Sequence, residues 1–284
     1  MVPSTRKLKH QNVHKVSTST KNSLMKKLTI ALIPCAVAAS LFFLGGISAN
    51  AQTPVLQLKA VNYSAGVWTD SSGNGDNATY SGGSTPTLVN GATPNGSSVV
   101  SLTGNGSLVL GSPLAAGSGY TVFAYIEPTT GTGRNAITGG SSPTALEWDV
   151  YNGKDDFLSE YTFDYGQGTG TIPTASFSLI DLAVSSSGGA YKLNGSADGT
   201  TSGATFGQPI TRIGNNEGGG DGFAGEIAEI DIFSGVLTAG QISTEEAALT
   251  AAYVTPVPEP TTWAMLAGGL GVLFATRRFR RTQA

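Results

Sequence analysis

The chain has 284 residues and a formal net charge of −3, but that near-neutral total hides a partition: residues 52–276 hold all 19 acids and only five of the 16 bases, a net −14. So acidic a surface repels phosphate backbones and argues against nucleic acid as a partner, while it favours solubility and divalent cations. Both histidines, His10 and His14, and the single cysteine, Cys35, fall near the start, so residues 52–284 have neither imidazole nor thiol; within them that excludes Ser-His-Asp and Cys-His catalysis, the common zinc sites and any disulfide.

In chain order, Lys26-Lys27, an apolar run over 28–47 and Ala49-Asn50-Ala51 form the charged, apolar and small-residue regions of a secretory signal peptide spanning 1–51. Cleavage after Ala51 leaves Gln52 first. Met25 opens this unit naturally, and residues 1–24 are either upstream of the true start or an unusually long basic leader. Ile33-Pro34 ahead of Cys35 are not the small residues a lipoprotein signal needs.

Residues 52–254 read as one all-β domain rich in Gly, Ser, Thr and Asn. Short β-rich runs recur between turn clusters at 99–102, 107–110, 120–126, 145–151, 161–165, 177–184, 190–193 and 227–233. The run 120–126 is almost continuously apolar or aromatic, as in a strand covered on both faces. Asn194-Gly195 is a hairpin turn dipeptide. Many short strands with Gly-rich turns favour a sandwich over a parallel α/β sheet. One helix is expected near the domain's end, where Thr238 and Gln241 make a capping box and Ile242, Leu249, Ala252 and Tyr253 fall on one stripe.

The tail has three parts. Residues 255–260 form a proline-rich linker whose prolines can neither continue a ladder nor enter a helix interior. Residues 261–276 are apolar, ~24 Å long as a helix against a ~30 Å hydrocarbon core, and are expected to cross a membrane. Residues 277–284 carry Arg277, Arg278, Arg280 and Arg281, which hold the end on the cytoplasmic side.

Pro258-Glu259-Pro260, a short membrane helix and an arginine-rich end resemble the PEP-CTERM sorting signal of Gram-negative bacteria. The resemblance implies recognition by an exosortase, a membrane-embedded transpeptidase, and delivery to the cell surface or extracellular matrix. Pro258, Glu259 and Pro260 are then what the sorting enzyme reads, a substrate's residues rather than catalytic ones.

Within the domain, the segment 68–75, Val99-Val100-Ser101-Leu102-Thr103-Gly104, the strand ending in Asn194-Gly195, and Gly225 to Phe233 followed by Leu237-Thr238 are similar, in order, to bacterial LamG-like, concanavalin A-like jelly rolls. The implied fold is an antiparallel two-sheet jelly-roll sandwich with one closing helix. One sheet of that family is curved, and its concave face often binds glycans or proteins, sometimes near calcium.

The same fold hosts laminarinase-type glycoside hydrolases, which align carboxylates along one strand as Glu-x-Asp-x-Glu or Glu-x-Asp-x-x-Glu. Glu147-Trp148-Asp149 has the first two acids, but Tyr151 and Asn152 stand where the final glutamate belongs. Glu229-Ile230-Asp231 fails in the same way, so no catalytic residue is assigned. For calcium, Asp70, Ser72, Asn74 and Gly75 fit the first half of an EF-hand loop, yet Ser81 replaces its bidentate glutamate, and a Gly/Asn turn is the plainer reading. Asp155-Asp156 and Asn215-Asn216-Glu217 with Asp221 are further oxygen-rich segments, read as loops. No cofactor beyond such calcium is expected. Trp68, Trp148 and Tyr151, with Tyr161 and Tyr165, are candidate sugar-stacking rings, although tryptophans in sandwiches more often fill cores. The expected protein is an exported, non-catalytic LamG-like binding or adhesion module with glycan as ligand. The alternatives are a structural matrix component without a ligand, and a divergent glycan-active enzyme.

Overall fold

The computed structural model describes residues 52–115, 117–140, 146–159, 163–203, 209–216 and 220–255, together with 265, 268–270 and 272–273 in the tail. The leader with Ala49 and Ala51, the Pro258-Glu259-Pro260 linker and the four arginines lie outside the described residues, as does most of the apolar run 261–276. Among the described residues, no helix is long and apolar enough to cross a membrane.

Among the described residues, the domain has sixteen strands and one helix: β1 (Leu56–Ser64), β2 (Val67–Asp70), β3 (Ala78–Ser81), β4 (Thr87–Val89), β5 (Val99–Thr103), β6 (Ser107–Leu114), β7 (Gly119–Pro128), β8 (Ala136–Gly139), β9 (Leu146–Tyr151), β10 (Lys154–Ser159), β11 (Phe163–Gln167), β12 (Ser178–Ser185), β13 (Gly188–Leu193), β14 (Ser196–Thr201), β15 (Ile210–Ile213), β16 (Ala224–Ser234) and α1 (Ala239–Tyr253). All eight expected strands are present, in an antiparallel sandwich with one closing helix.

The strands form one hydrogen-bonded path, β11-β10-β9-β8-β15-β6-β3-β2-β1-β16-β7-β12-β13-β14, folded into two layers. β1 makes the corner. Leu56 to Lys59 pair with β16, while Leu58, Tyr63 and Ser64 pair with β2 across a register shift between Leu58 and Tyr63. β16 is the hinge of the topology, because β5 pairs with its first half, β1 with its second half, and β7 runs along its other edge.

Alternation places the cores. On β7, Tyr120, Val122, Ala124 and Ile126 point between the layers, where they meet Trp68, Trp148 and Ile137 from the other sheet. Phe123 and Tyr125 point the opposite way, into a second core under α1 with Leu249 and Tyr253. The double burial expected of 120–126 therefore has two distinct covers. Each large apolar side chain so buried stabilises the fold by about 2 kcal/mol.

The Thr238 hydroxyl accepts from the Gln241 amide at 3.3 Å, and Gln241 Oε1 accepts from the Thr238 amide at 2.9 Å, the expected capping box. The buried stripe of α1 differs at one position. Ala252 is exposed and Glu246 is buried instead, because 242, 246, 249 and 253 keep the four-three-four spacing that stays on one face.

Candidate ligand-binding site

β9 is the strand from which the site grows. Trp148 and Val150 face the inter-sheet core, so Glu147, Asp149 and Tyr151 face outward. β10 pairs with it so that Asp156 stands directly opposite Asp149. Arg134, just before β8, reaches across both: its Nη1 lies 3.0 Å from Asp149 Oδ2 and 3.2 Å from Asp156 Oδ2. The guanidinium carbon sits 4.4 Å over the Tyr151 ring. Its side chain is 27% exposed while both aspartates are fully covered, so the cation and the half-buried Tyr151 ring are what the cluster shows to solvent. Glu147 extends the row and accepts from Asn216 Nδ2 at 3.4 Å; the same amide reaches Asp221 Oδ2 at 2.9 Å.

The electrostatics follow from this crowding. Burial first, then Asp156 and Glu147, push the Asp149 carboxyl well above the usual range, with Arg134 acting against them. Burial works against the charge on Arg134, but Asp149 and Asp156 outweigh it and keep the guanidinium ionised. The hairpin tip is a two-residue turn in which Asn152 and Gly153 both have positive φ, at 49° and 74°, the conformation an Asn-Gly pair tolerates. Asn152 Oδ1 accepts from the Gly133 amide at 3.1 Å and Gln167 Nε2 donates to the Tyr151 carbonyl at 3.1 Å, so the loops around Tyr151 are tied together.

Of the three expected stacking rings, only Tyr151 lies at this face. Trp68 and Trp148 are 0% and 1% exposed, on inward positions of their strands. The Trp68 indole donates to the Lys59 carbonyl at 2.8 Å and the Trp148 indole to Asp155. Neither can stack on a sugar; both are core. Tyr165 packs on Phe157 with ring centroids 5.5 Å apart, and Tyr161 lies outside the described residues.

The calcium candidates are corrected in the same way. Asp70 Oδ1 accepts from the amides of Gln57 at 3.0 Å and Ser72 at 2.8 Å; Oδ2 accepts from Ser72 Oγ at 2.7 Å and the amides of Gly75 at 3.1 Å and Asp76 at 3.2 Å. Donors aimed inward hold an anion, and a cation would have to displace all of them. The Asn74 amide turns back to the Val55 carbonyl. Asp155 and Asp156 are not loop acids: they sit on β10, pointing to opposite faces, and both are buried. Asp221 is half-buried against Asn216. Among the described residues, no group of three or more His, Cys, Asp or Glu side chains gathers as metal ligands. Glu229 and Asp231 lie far along the fold, on β16 under α1 rather than with Glu147.

A family model described as the concanavalin A-like lectin/glucanases superfamily matches residues 102–243, half of the chain. The chain belongs to this superfamily. Residues 256–281 match the PEP-CTERM protein-sorting motif, which marks this concanavalin A-like protein for export and a surface or extracellular location, with exosortase processing. No curated protein matches the chain. Among solved structures, domain 4 of AbnA, a GH43 extracellular arabinanase from Geobacillus stearothermophilus in complex with arabinotriose, is similar at 19% identity and TM-score 0.53, over 68% of this chain and 98% of that one. The binding domain of Paraclostridial Mosquitocidal Protein 1 is similar at 15% identity and TM-score 0.52, over 69% of this chain and 52% of that one. Trypanosoma rangeli sialidase in complex with 2,3-difluoro-KDN follows at 17% identity and TM-score 0.50, over 72% of this chain and 34% of that one. At these identities the likeness is one of fold.

Proposed function

We propose that the concanavalin A-like domain is a non-catalytic glycan-binding module, displayed at the cell surface or in the extracellular matrix after its sorting signal is read. The carrying observation is Arg134 pinned by two buried aspartates over the Tyr151 ring. Its remaining N–H groups form a fixed planar fork, suited to paired sugar oxygens, and preorganised donors lose little entropy on binding. The arabinotriose held by the fold's arabinanase relative supports the ligand class. The non-catalytic reading is supported by the same clamp, since Asp149 and Asp156 are covered and held by a cation, and Tyr151 occupies the slot of a third acid on β9. The apolar run 261–276 serves as the transient membrane anchor during sorting.

A glycan array probed with the full-length protein, with calcium and with chelator, tests this. Saturable binding to one sugar class is expected in both conditions, and Tyr151→Ala should weaken it about tenfold by removing the ring beneath the guanidinium. A blank array leaves a structural matrix component. Hydrolysis of a bound glycan that disappears in Glu147→Gln would instead make the protein an enzyme.

A further inference from the structure

α1 docks on the sheet through Leu249, Tyr253 and Ile242, yet along the same contact carboxyl groups oppose carboxyl groups. The sheet contributes Glu229 and Asp231 from β16 and Asp181 from β12, each 3% exposed or less. The helix contributes Glu245 and Glu246. Against these five acids stand two ammonium groups, Lys59 on β1 and Lys192 on β13. Lys192 Nζ lies 2.6 Å from Glu246 Oε1, and Lys59 Nζ lies 3.6 Å from Glu229 Oε1. Glu229 is otherwise well supplied, accepting from Gln57 Nε2 at 3.0 Å and from the Tyr253 hydroxyl at 2.5 Å. Asp231 is not: neither of its oxygens has a hydrogen-bond partner, and Oδ2 of Asp181 also has none.

Five ionised carboxylates with two counter-ions would leave buried charge uncompensated, and taking such charge out of water is strongly unfavourable. A proton on one member of each facing pair removes that cost, because a carboxylic acid is a donor where a carboxylate only accepts. Asp231 shares its face of β16 with Glu229 two residues before it, and Asp181 stands opposite Lys192, the ammonium that also holds Glu246. We propose that α1 is fastened to the sheet by protons shared between these carboxyl groups, so that rising pH unlatches the helix. The acid–acid pairs are the latch and the two lysines its fixed counterweight. A cleft of about 390 Å³, lined by Lys59, Ser97, Ser98, Glu229 and Tyr253, opens beside the Glu229 end of the cluster.

Titration supports the geometry. Burial first, then Glu246, against Lys192, hold Asp181 up at about 8, from an ordinary 3.8. Burial, then Glu229 and Glu245, raise Asp231 well above its usual range, and burial raises Glu245 as well. For a carboxyl raised on docking, the stabilisation is complete below the undocked value and is lost as pH climbs through the docked one. For Asp181 the window runs from about 4 to about 8.

Hydrogen exchange of the full-length protein in detergent micelles, corrected for intrinsic rates, reads the latch. Between about pH 5 and about pH 9, protection of α1 should fall relative to β7, by up to tenfold per pH unit for each proton released. Asp181→Asn should flatten that slope, and Asp231→Asn should flatten it further; if the latter fails to fold, the Asp181 variant decides alone. A constant ratio of α1 to β7 protection across the range overturns the proposal. So does a wild-type slope in Asp181→Asn.

Discussion

At Asp70 one carboxylate organises the first turn of the domain by accepting from four main-chain amides and one hydroxyl. Burial alone would raise its pKa, but these bonds, led by that from the Gln57 amide, more than reverse the effect and leave it below the usual range. The stability it contributes is therefore present above its unfolded value of 3.8 and lost as pH falls through the depressed folded one. Replacing Asp70 with Ala leaves those donors unmet and should cost about 1–3 kcal/mol in urea unfolding at neutral pH, with the difference from wild type vanishing in strong acid. Arg134→Ala strands Asp149 and Asp156 without their cation and should cost about 3–5 kcal/mol in the same measurement, with Arg134→Lys intermediate. At this scale the sequence shows that Asp70 belongs to a turn, since Ser, Gly and Asn follow it. It does not show Arg134, whose partners are 15 and 22 residues away and meet it only once β9 and β10 have paired. Nor does residue type tell a stacking tryptophan from a core one. Strand parity does: Trp148 shares its face with Val150 and not with Tyr151.

Single elements were legible where a local rule governs them. The Asn194-Gly195 turn is present with φ of 51° and 76°, and the same dipeptide at 152–153 carried an equal signal that was read instead as a missing catalytic acid. α1 was legible through its capping box. Thr238→Ala should cost about 1 kcal/mol and raise exchange in its first turn before any strand responds. Short or polar strands stayed hidden, and so did the nine-residue β1, although Leu56, Leu58 and Ala60 alternate on its buried face. β8 and β15 have four residues each, too few for a period, and β10 opens Lys-Asp-Asp, which reads as a loop because charge on a central strand is costly. Its two aspartates are tolerated because one meets Arg134 and the other the Trp148 indole. Those partners come from tertiary structure.

For the whole molecule, no intramolecular disulfide contributes to folding, because Cys35 is the single cysteine. Thermal melting of the exported protein should therefore be indifferent to reductant; a shift would mean that the cysteine-bearing segment is retained. The topology adds a constraint of order. β1 pairs with β16, joining Leu56 to Ile232, so the inter-sheet core closes only through contacts spanning most of the domain, and such pairings form late. A chain emerging from its N-terminus can assemble hairpins such as β12–β13, but the strand that joins three others arrives last, shortly before the sorting motif. The domain is thus topologically incomplete for nearly the whole of its synthesis, which suits passage as an extended thread. Its address is written behind the strand that completes it, so a chain cut short before β16 lacks both the finished sandwich and the means of being delivered.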